Sequence, residues 1–352
     1  MDSPGIKKKY DLLIAGLGLA GVSLAANVPP GVSALAIDVK NSIGGRPCGG
    51  VMTYKAFSHP WISGHIDSFA SAPTSLRARI VDHQLRRDKI LENDLRNIDK
   101  EALLEWFLKK IPPDVEVRFG ARLADVRPSG NHGFEVTLNH AGGGGISVVE
   151  AERIVGADGV NSAVRRHFRP GCDARRYHAV QVKTQSQTED GFFNIIVDTD
   201  VTEYYAWKIP KRGGHVVGFA SQEKEGMAER LDALLEKTGC RAVGVPKWTM
   251  VGRYWPTSEI QTNDVPNAYL IGEAAGHIGY FSDGMSWALR GAECVAKILG
   301  APDARRQHQD FNRRLVAELA DQHEFFRAFL ESPDARRKMF LLTAGFDRVP
   351  EF

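Results

Sequence analysis

Tyr10-Asp11-Leu12-Leu13-Ile14-Ala15-Gly16-Leu17-Gly18-Leu19-Ala20-Gly21 reads as a buried strand turning directly into a helix, and this stretch decides the fold. The unbroken apolar run from Leu12 to Ala15 suits a central parallel strand. Gly16 permits the tight turn, Gly18 leaves backbone bare for a pyrophosphate, and Gly21 lets the helix press on the strand. Leu19 and Ala20 open that helix, whose first amides would face the phosphate. A second apolar run, Val32 to Ile37, ends at Asp38, twenty-two positions after Gly16 and suited to a ribose hydroxyl pair. The same letters occur in NAD sites, in FAD sites and in glycine-rich turns of unrelated α/β domains, so the fingerprint alone leaves all three open.

Two later segments narrow the choice. Ile154-Val155-Gly156-Ala157-Asp158-Gly159 is a strand ending in a polar turn, and Leu270-Ile271-Gly272-Glu273-Ala274-Ala275-Gly276 is a short apolar strand broken by small residues at a carboxylate. With the N-terminal unit they make three strand-to-turn elements able to converge on one extended dinucleotide. In this order the motifs resemble those of flavoproteins of the glutathione-reductase-2 type, which include aromatic hydroxylases, flavin halogenases and geranylgeranyl reductases. The resemblance implies an α/β fold: a Rossmann-like FAD-binding domain interleaved with an antiparallel-sheet substrate domain, followed by a helical C-terminus. It also implies that Asp38 binds the adenosine ribose, that Asp158 and Gly159 brace the pyrophosphate region, and that Glu273, between Gly272 and Gly276, holds a ribityl or ribose hydroxyl. Glu273 stands where Asp is commoner in that family.

A narrower resemblance lies in Gly45-Arg46-Pro47-Cys48-Gly49-Gly50, similar to the PCGG-like run of geranylgeranyl reductases and their short bacterial relatives. Tyr205-Ala206-Trp207-Lys208-Ile209-Pro210-Lys211 is similar to that branch's YxWxFPK segment, and Ser286-Trp287-Ala288-Leu289-Arg290-Gly291 to its ISYALRSG helix. Arg46, Pro47 and Cys48 are thereby expected beside the cofactor. Two departures stand out. The run His277-Ile278-Gly279-Tyr280-Phe281-Ser282-Asp283-Gly284 lacks the usual proline and uses Asp283 for Glu, and Lys100 stands near the position of a cofactor-contacting Arg. A lysine supplies charge there but no planar fork. Gly284 and Met285 open the next helix, where backbone amides suit the flavin edge that gathers negative charge on reduction.

A chain of 352 residues with 43% apolar content fits two domains. The expected division is 1–58, 97–172 and 255–300 for the FAD-binding domain, 59–96 and 173–254 for the substrate domain, and 301–352 for a helical tail. A net charge of +2 gives no reason to expect a nucleic-acid partner. The four cysteines are far apart without metal-ligand spacing, which points to no metal and to a reduced, cytoplasmic setting. No apolar run approaches the roughly 20 residues of a membrane span. The stripe Phe325, Phe326, Phe329 and Leu330 suits either packing on the protein's own core or peripheral membrane contact.

For chemistry, Cys48 is either a proton donor beside the flavin or a packing group. Tyr205 and Trp207, on one face of a strand, are either substrate wall or sheet core. His277 follows directly on Gly276 and is the best placed of the loop histidines. The PCGG and YxWxIPK likenesses favour hydride transfer from flavin N5 to a carbon–carbon double bond of an apolar, isoprenoid-like substrate. A monooxygenase acting on a small aromatic or natural-product substrate, with halogenation as a variant, is the alternative, and a flavin-binding sensor is the non-enzymatic one. No second GxGxxG is present, so NADPH or NADH would bind transiently as electron donor.

Overall fold

In a computed structural model of the chain, residues 7–130, 133–172, 175–185, 191–253, 265–279 and 283–341 are described, apart from the side chains of Phe325, Met339 and Leu341. The chain opens with β1 (Lys9–Ala15), α1 (Leu19–Ala26) and β2 (Ala34–Asp38). It crosses to a second sheet through β3 (Val51–Met52), α2 (Tyr54–Phe57), β4 (Ala70–Asp82), β5 (Arg87–Ile90) and β6 (Leu95–Ile98). It returns with α3 (Lys100–Leu108), β7 (Val115–Phe119), β8 (Ala121–Ser129), β9 (Gly133–His140), β10 (Ile146–Gly156) and α4 (Ala163–Phe168). A second excursion adds β11 (Arg176–Gln185), β12 (Phe192–Val197), β13 (Ala206–Lys211), β14 (Gly214–Ser221), α5 (Met227–Lys237) and β15 (Arg241–Gly252). The last return is β16 (Ala268–Leu270) and α6 (Met285–Ile298), after which α7 (Ala304–Glu331) and α8 (Pro333–Leu341) run to the end of the described residues.

The first sheet has the order β7-β2-β1-β10-β9-β8, with β16 also on β10. Parallel pairing of β7, β2, β1, β10 and β16 makes the Rossmann-like half. Leu12, Leu13 and Ile14 are fully buried because β1 is central and covered on both faces. Gly16 adopts φ +98°, and a Cβ there would lie 2.6 Å from the Ala157 carbonyl oxygen. Gly21 presses on the Gly16 carbonyl so closely that no Cβ fits, whereas a Cβ on Gly18 would meet nothing.

The second sheet has the order β15-β11-β14-β13-β12-β4-β6-β3, with β5 on β4. It is antiparallel except that β12 runs parallel to β4. The two strands come from different excursions, so no hairpin dictates their relative direction. Val51–Met52 and Leu95–Ile98 pair in this sheet. The expected division drew its lines at 58 and 96, whereas β3 and β6 place residues 51–52 and 95–98 in the second sheet; a two-residue strand carries no periodicity to read. Gly142 and Gly143 lie in the turn that joins the antiparallel pair β9 and β10. One face of the second sheet packs α5, and the other carries an apolar cluster that includes Phe329 and Leu330 of α7.

Candidate active site

One continuous cleft lies between the sheets, reaching from the glycine turn to α7. Of the residues singled out in the sequence, Gly18, Leu19, Ala20, Asp38, Arg46, Pro47, Cys48, Lys100, Gly159, Gly272, Glu273, Gly284, Met285, Tyr205 and Trp207 line it. They arrive from the chain's opening segment, from its two returns to the first sheet and from the start of one strand of the second.

At the first end, α1 begins at Gly18 with no side-chain cap and no acidic residue in its first turn. Its leading amides are thus left for an anion. Lys40, Arg46 and Lys100 face the same space. Asp38 Oδ2 accepts from the Leu17 amide at 2.7 Å, and Oδ1 accepts from the Lys40 amide at 2.9 Å. Each oxygen keeps a second lone pair for a hydroxyl donor. Lys100 is fixed as the first residue of α3 by Asp99, whose carboxylate accepts from the Glu101 and Ala102 amides. This bare turn, uncapped helix and cationic rim fit a dinucleotide pyrophosphate.

Glu273 is already engaged by protein groups. Its Oε2 accepts from Arg46 at 2.9 Å and from the Gly252 amide at 3.0 Å. Burial pushes this carboxyl up, but the Arg46 guanidinium and the amide outweigh burial and hold it below the ordinary carboxylate value. Arg46 also donates to the Met250 carbonyl at 2.5 Å, and a Cβ on Gly159 would stand 3.6 Å from its Nη1. One arginine thus ties the first loop to β15 and to the turn after β16.

The Pro47–Gly50 loop is clamped from below. The Gly50 amide donates to Cys48 Sγ at 3.4 Å, and Gln181 Nε2 donates to the Cys48 carbonyl at 3.3 Å. Gly50 takes φ +67° against the Ile98 carbonyl. Lys211 Nζ lies beneath it, donating to Ile98 O at 3.0 Å and to Asn97 Oδ1, while Asn97 Nδ2 donates to Pro210 O at 2.8 Å. Burial brings the Lys211 ammonium down to about 8, partly offset by its electrostatic contact with Cys48 and Asp99.

Beyond Cys48 the wall is apolar: Ala78, Ile80, Leu91, Leu95, Phe193, Ile195, Ile209 and Val251 join Tyr205 and Trp207. The two aromatic rings meet edge to face at 5.9 Å. Tyr204 packs on the same side, its ring 4.6 Å from that of Tyr205 and stacked on Tyr177 at 4.4 Å, because both tyrosines precede β13 and strand alternation does not govern them. Phe326 and Phe329 close this region from α7, so they and Leu330 are buried and form no surface stripe; Phe325 lies outside the described side chains. Lys40, Thr53, Gln181, Thr249 and these two phenylalanines were not singled out for the cleft. Thr249 and Val251 share one face of β15 at a spacing of two, the signal that would have grouped them.

Gly16, Gly21, Asp158, Gly276 and His277 are not brought to the cleft surface. Gly16 and Gly21 act through backbone packing, as above. Asp158 Oδ2 accepts from the Ala163 amide at 2.6 Å at the start of α4, whose N-cap is Ser162. Gly276 ends the turn after β16 at φ +72°. His277 is fully buried on the α7 side, its ring 6.5 Å from that of Phe311, and burial lowers its pKa to about 3. A neutral imidazole facing the tail is poorly placed to exchange protons with the cleft. Gly284 and Met285 do line it, although Asp283 Oδ1 accepts from the Met285 amide at 3.3 Å; 280–282 of the same loop lie outside the described residues. No helix of the described residues is long and apolar enough to cross a membrane.

No protein-family model matches the chain. Protein CbrA of Escherichia coli O9:H4 (strain HS) is 30% identical over 304 residues, covering 82% of this chain and 81% of that protein. A geranylgeranyl bacteriochlorophyll reductase-like protein from Thermoplasma acidophilum superposes with a TM-score of 0.79 at 18% identity, covering 95% of this chain and 91% of its own. PqsL, a probable FAD-dependent monooxygenase from Pseudomonas aeruginosa, gives a TM-score of 0.67 at 17% identity, covering 94% and 98%. The fold is therefore that of the FAD-dependent oxidoreductases of the glutathione-reductase-2 type, as the order of motifs implied.

Proposed function

The chain belongs to the family of the Escherichia coli protein CbrA, and we propose that it is an FAD-dependent oxidoreductase that reduces a carbon–carbon double bond of an apolar, isoprenoid-like substrate. The observation that carries this reading is the single cleft running from the uncapped start of α1 to an apolar chamber on the second sheet. Gly18, Asp38, Arg46 and Lys100 would hold the dinucleotide, with Gly284 and Met285 at its flavin end. Bound FAD would supply a hydride at N5, taken from NADPH or NADH that binds transiently.

The chain's own residues supply the rest. Tyr205, Trp207 and Ile209 present an apolar face that excludes water and lays the double bond against the flavin end. Cys48, its sulfur oriented by the Gly50 amide, is the proton donor to the second carbon. Gln181 fixes the Cys48 carbonyl, and the glycines at 49 and 50 let this loop press directly on Ile209 and on the Ile98 carbonyl, where a Cβ would clash.

Stopped-flow reoxidation of the FAD-loaded, anaerobically reduced protein tests the reading. Slow, featureless return of the oxidised spectrum supports the reductase. Rapid reoxidation through a transient, blue-shifted absorbance would make it a monooxygenase instead. Failure to retain or take up FAD would overturn both.

A further inference from the structure

The apolar chamber has a closed end, and α7 closes it. Gln322, Phe326 and Phe329 face the cleft at positions i, i+4 and i+7 of one helix. Both phenylalanines are 4% exposed, and Phe329 clusters with Ala78, Ile80 and Ile195 of the chamber wall. Further back on α7, Leu315 and Leu319 cluster with Trp287 in the first turn of α6, beside the flavin-end residues Gly284 and Met285. At 1.5 Å per residue, Phe329 stands roughly 15 Å along the helix from Leu319. The aromatic pair is thus at the end of the chamber remote from the flavin.

The wall is fixed at both ends. Glu318 accepts from Lys55 at 2.5 Å and from Arg290 at 3.0 Å, joining α7 to α2 and α6. Past Phe329, Arg336 of α8 donates to Asp82 at 2.6 Å and to the Leu330 carbonyl at 2.6 Å, with both charged groups buried. Asp82 ends β4, the strand that contributes Ala78 and Ile80 to the chamber. A strap pinned in this way sets a depth.

We propose that Phe326 and Phe329 are specificity-determining residues that set the longest apolar chain the chamber accepts. The inference rests on the reading of the cleft as an apolar-substrate chamber. A linear substrate with its reacting end near Cys48 extends towards the aromatic pair. Each buried methylene contributes about 0.8 kcal/mol, roughly fourfold in affinity. At the rings the gain stops, because a further methylene must displace packed side chains held by the Arg336–Asp82 pair.

Calorimetric titration of the FAD-loaded protein with the n-alkanol series from hexanol to hexadecanol tests this without turnover. Affinity should climb about fourfold per methylene to a limit and then level off. In Phe329→Ala the limit should move to longer chains, and in Phe329→Leu by a smaller step, with FAD still bound; if the alanine variant does not fold, the leucine variant decides. Folded variants that keep the wild-type limit would overturn the proposal while leaving the apolar chamber in place. Wild-type protein that binds no alkanol of any length would overturn the chamber reading itself, and the proposal with it.

Discussion

Arg46 and Glu273 stand 227 positions apart in the chain and meet at 2.9 Å across the cleft wall. Arg46 belongs to the loop after the first nucleotide unit, and Glu273 to the turn after the last strand of the same sheet. Their pairing joins the loop after β2 to the turn after β16, two strands that β1 and β10 separate in that sheet, and the Gly252 amide adds the second sheet to the junction.

Glu273→Gln should lower stability by about 2 kcal/mol at neutral pH, since Arg46 then loses its charged partner. The Glu273 carboxyl sits below its usual value of 4.5 in the folded chain. Its contribution is therefore fully present above that value and is lost as pH falls through the folded one. Thermal unfolding of wild type and variant should differ clearly at about pH 7 and much less at about pH 3. An equal gap at both would mean that the carboxylate's charge is irrelevant.

Gly18→Val and Gly21→Val should fail differently. A Cβ at Gly18 has no protein atom within 4 Å, so the variant should melt near the wild-type temperature yet purify without flavin. At Gly21 the added carbon overlaps the Gly16 carbonyl, and the protein should unfold or be lost on expression. A yellow, FAD-saturated Gly18→Val protein would count heavily against the assignment of the turn.

Cys48→Ala should retain FAD and lose roughly 10²-fold in turnover, the usual scale for a missing proton donor. Cys48→Ser should recover part of it if proton transfer is the role. Unchanged turnover in the alanine variant leaves Cys48 as packing under the substrate.

Lys211 carries the alkaline-side prediction. Its ammonium falls from 10.5 to about 8 on folding, so the unfolded chain binds more protons between those values. Stability should then rise with pH across that window, by up to about 3 kcal/mol from this one group. In Lys211→Met that rise should be absent, which denaturant unfolding at about pH 7.5 and pH 10 measures directly against wild type. An identical slope in the variant would show that the lysine is not buried as described.

The sequence was legible wherever backbone chemistry restricts residue type. Gly16 needs a left-handed φ, Gly21 a missing side chain and Asp38 a fixed distance from the turn, so these positions announced themselves. The tail's Phe326–Phe329 spacing was equally plain as a helical stripe, but its destination was open between core and membrane, and the cleft was not foreseen. Period alone states that a face is apolar; what the face meets depends on contacts made hundreds of positions away.

What the sequence determined by itself is the parallel nucleotide-binding half and the order in which the chain returns to it, because each return is a local strand-to-turn signal. The tertiary structure alone decided the parallel β12–β4 pair, the Arg46–Glu273 and Arg336–Asp82 junctions, and the turning of His277 away from the cleft. These arise from long-range packing, in which a side chain's partner and burial are set by the whole assembly of sheets and not by its neighbours in the chain.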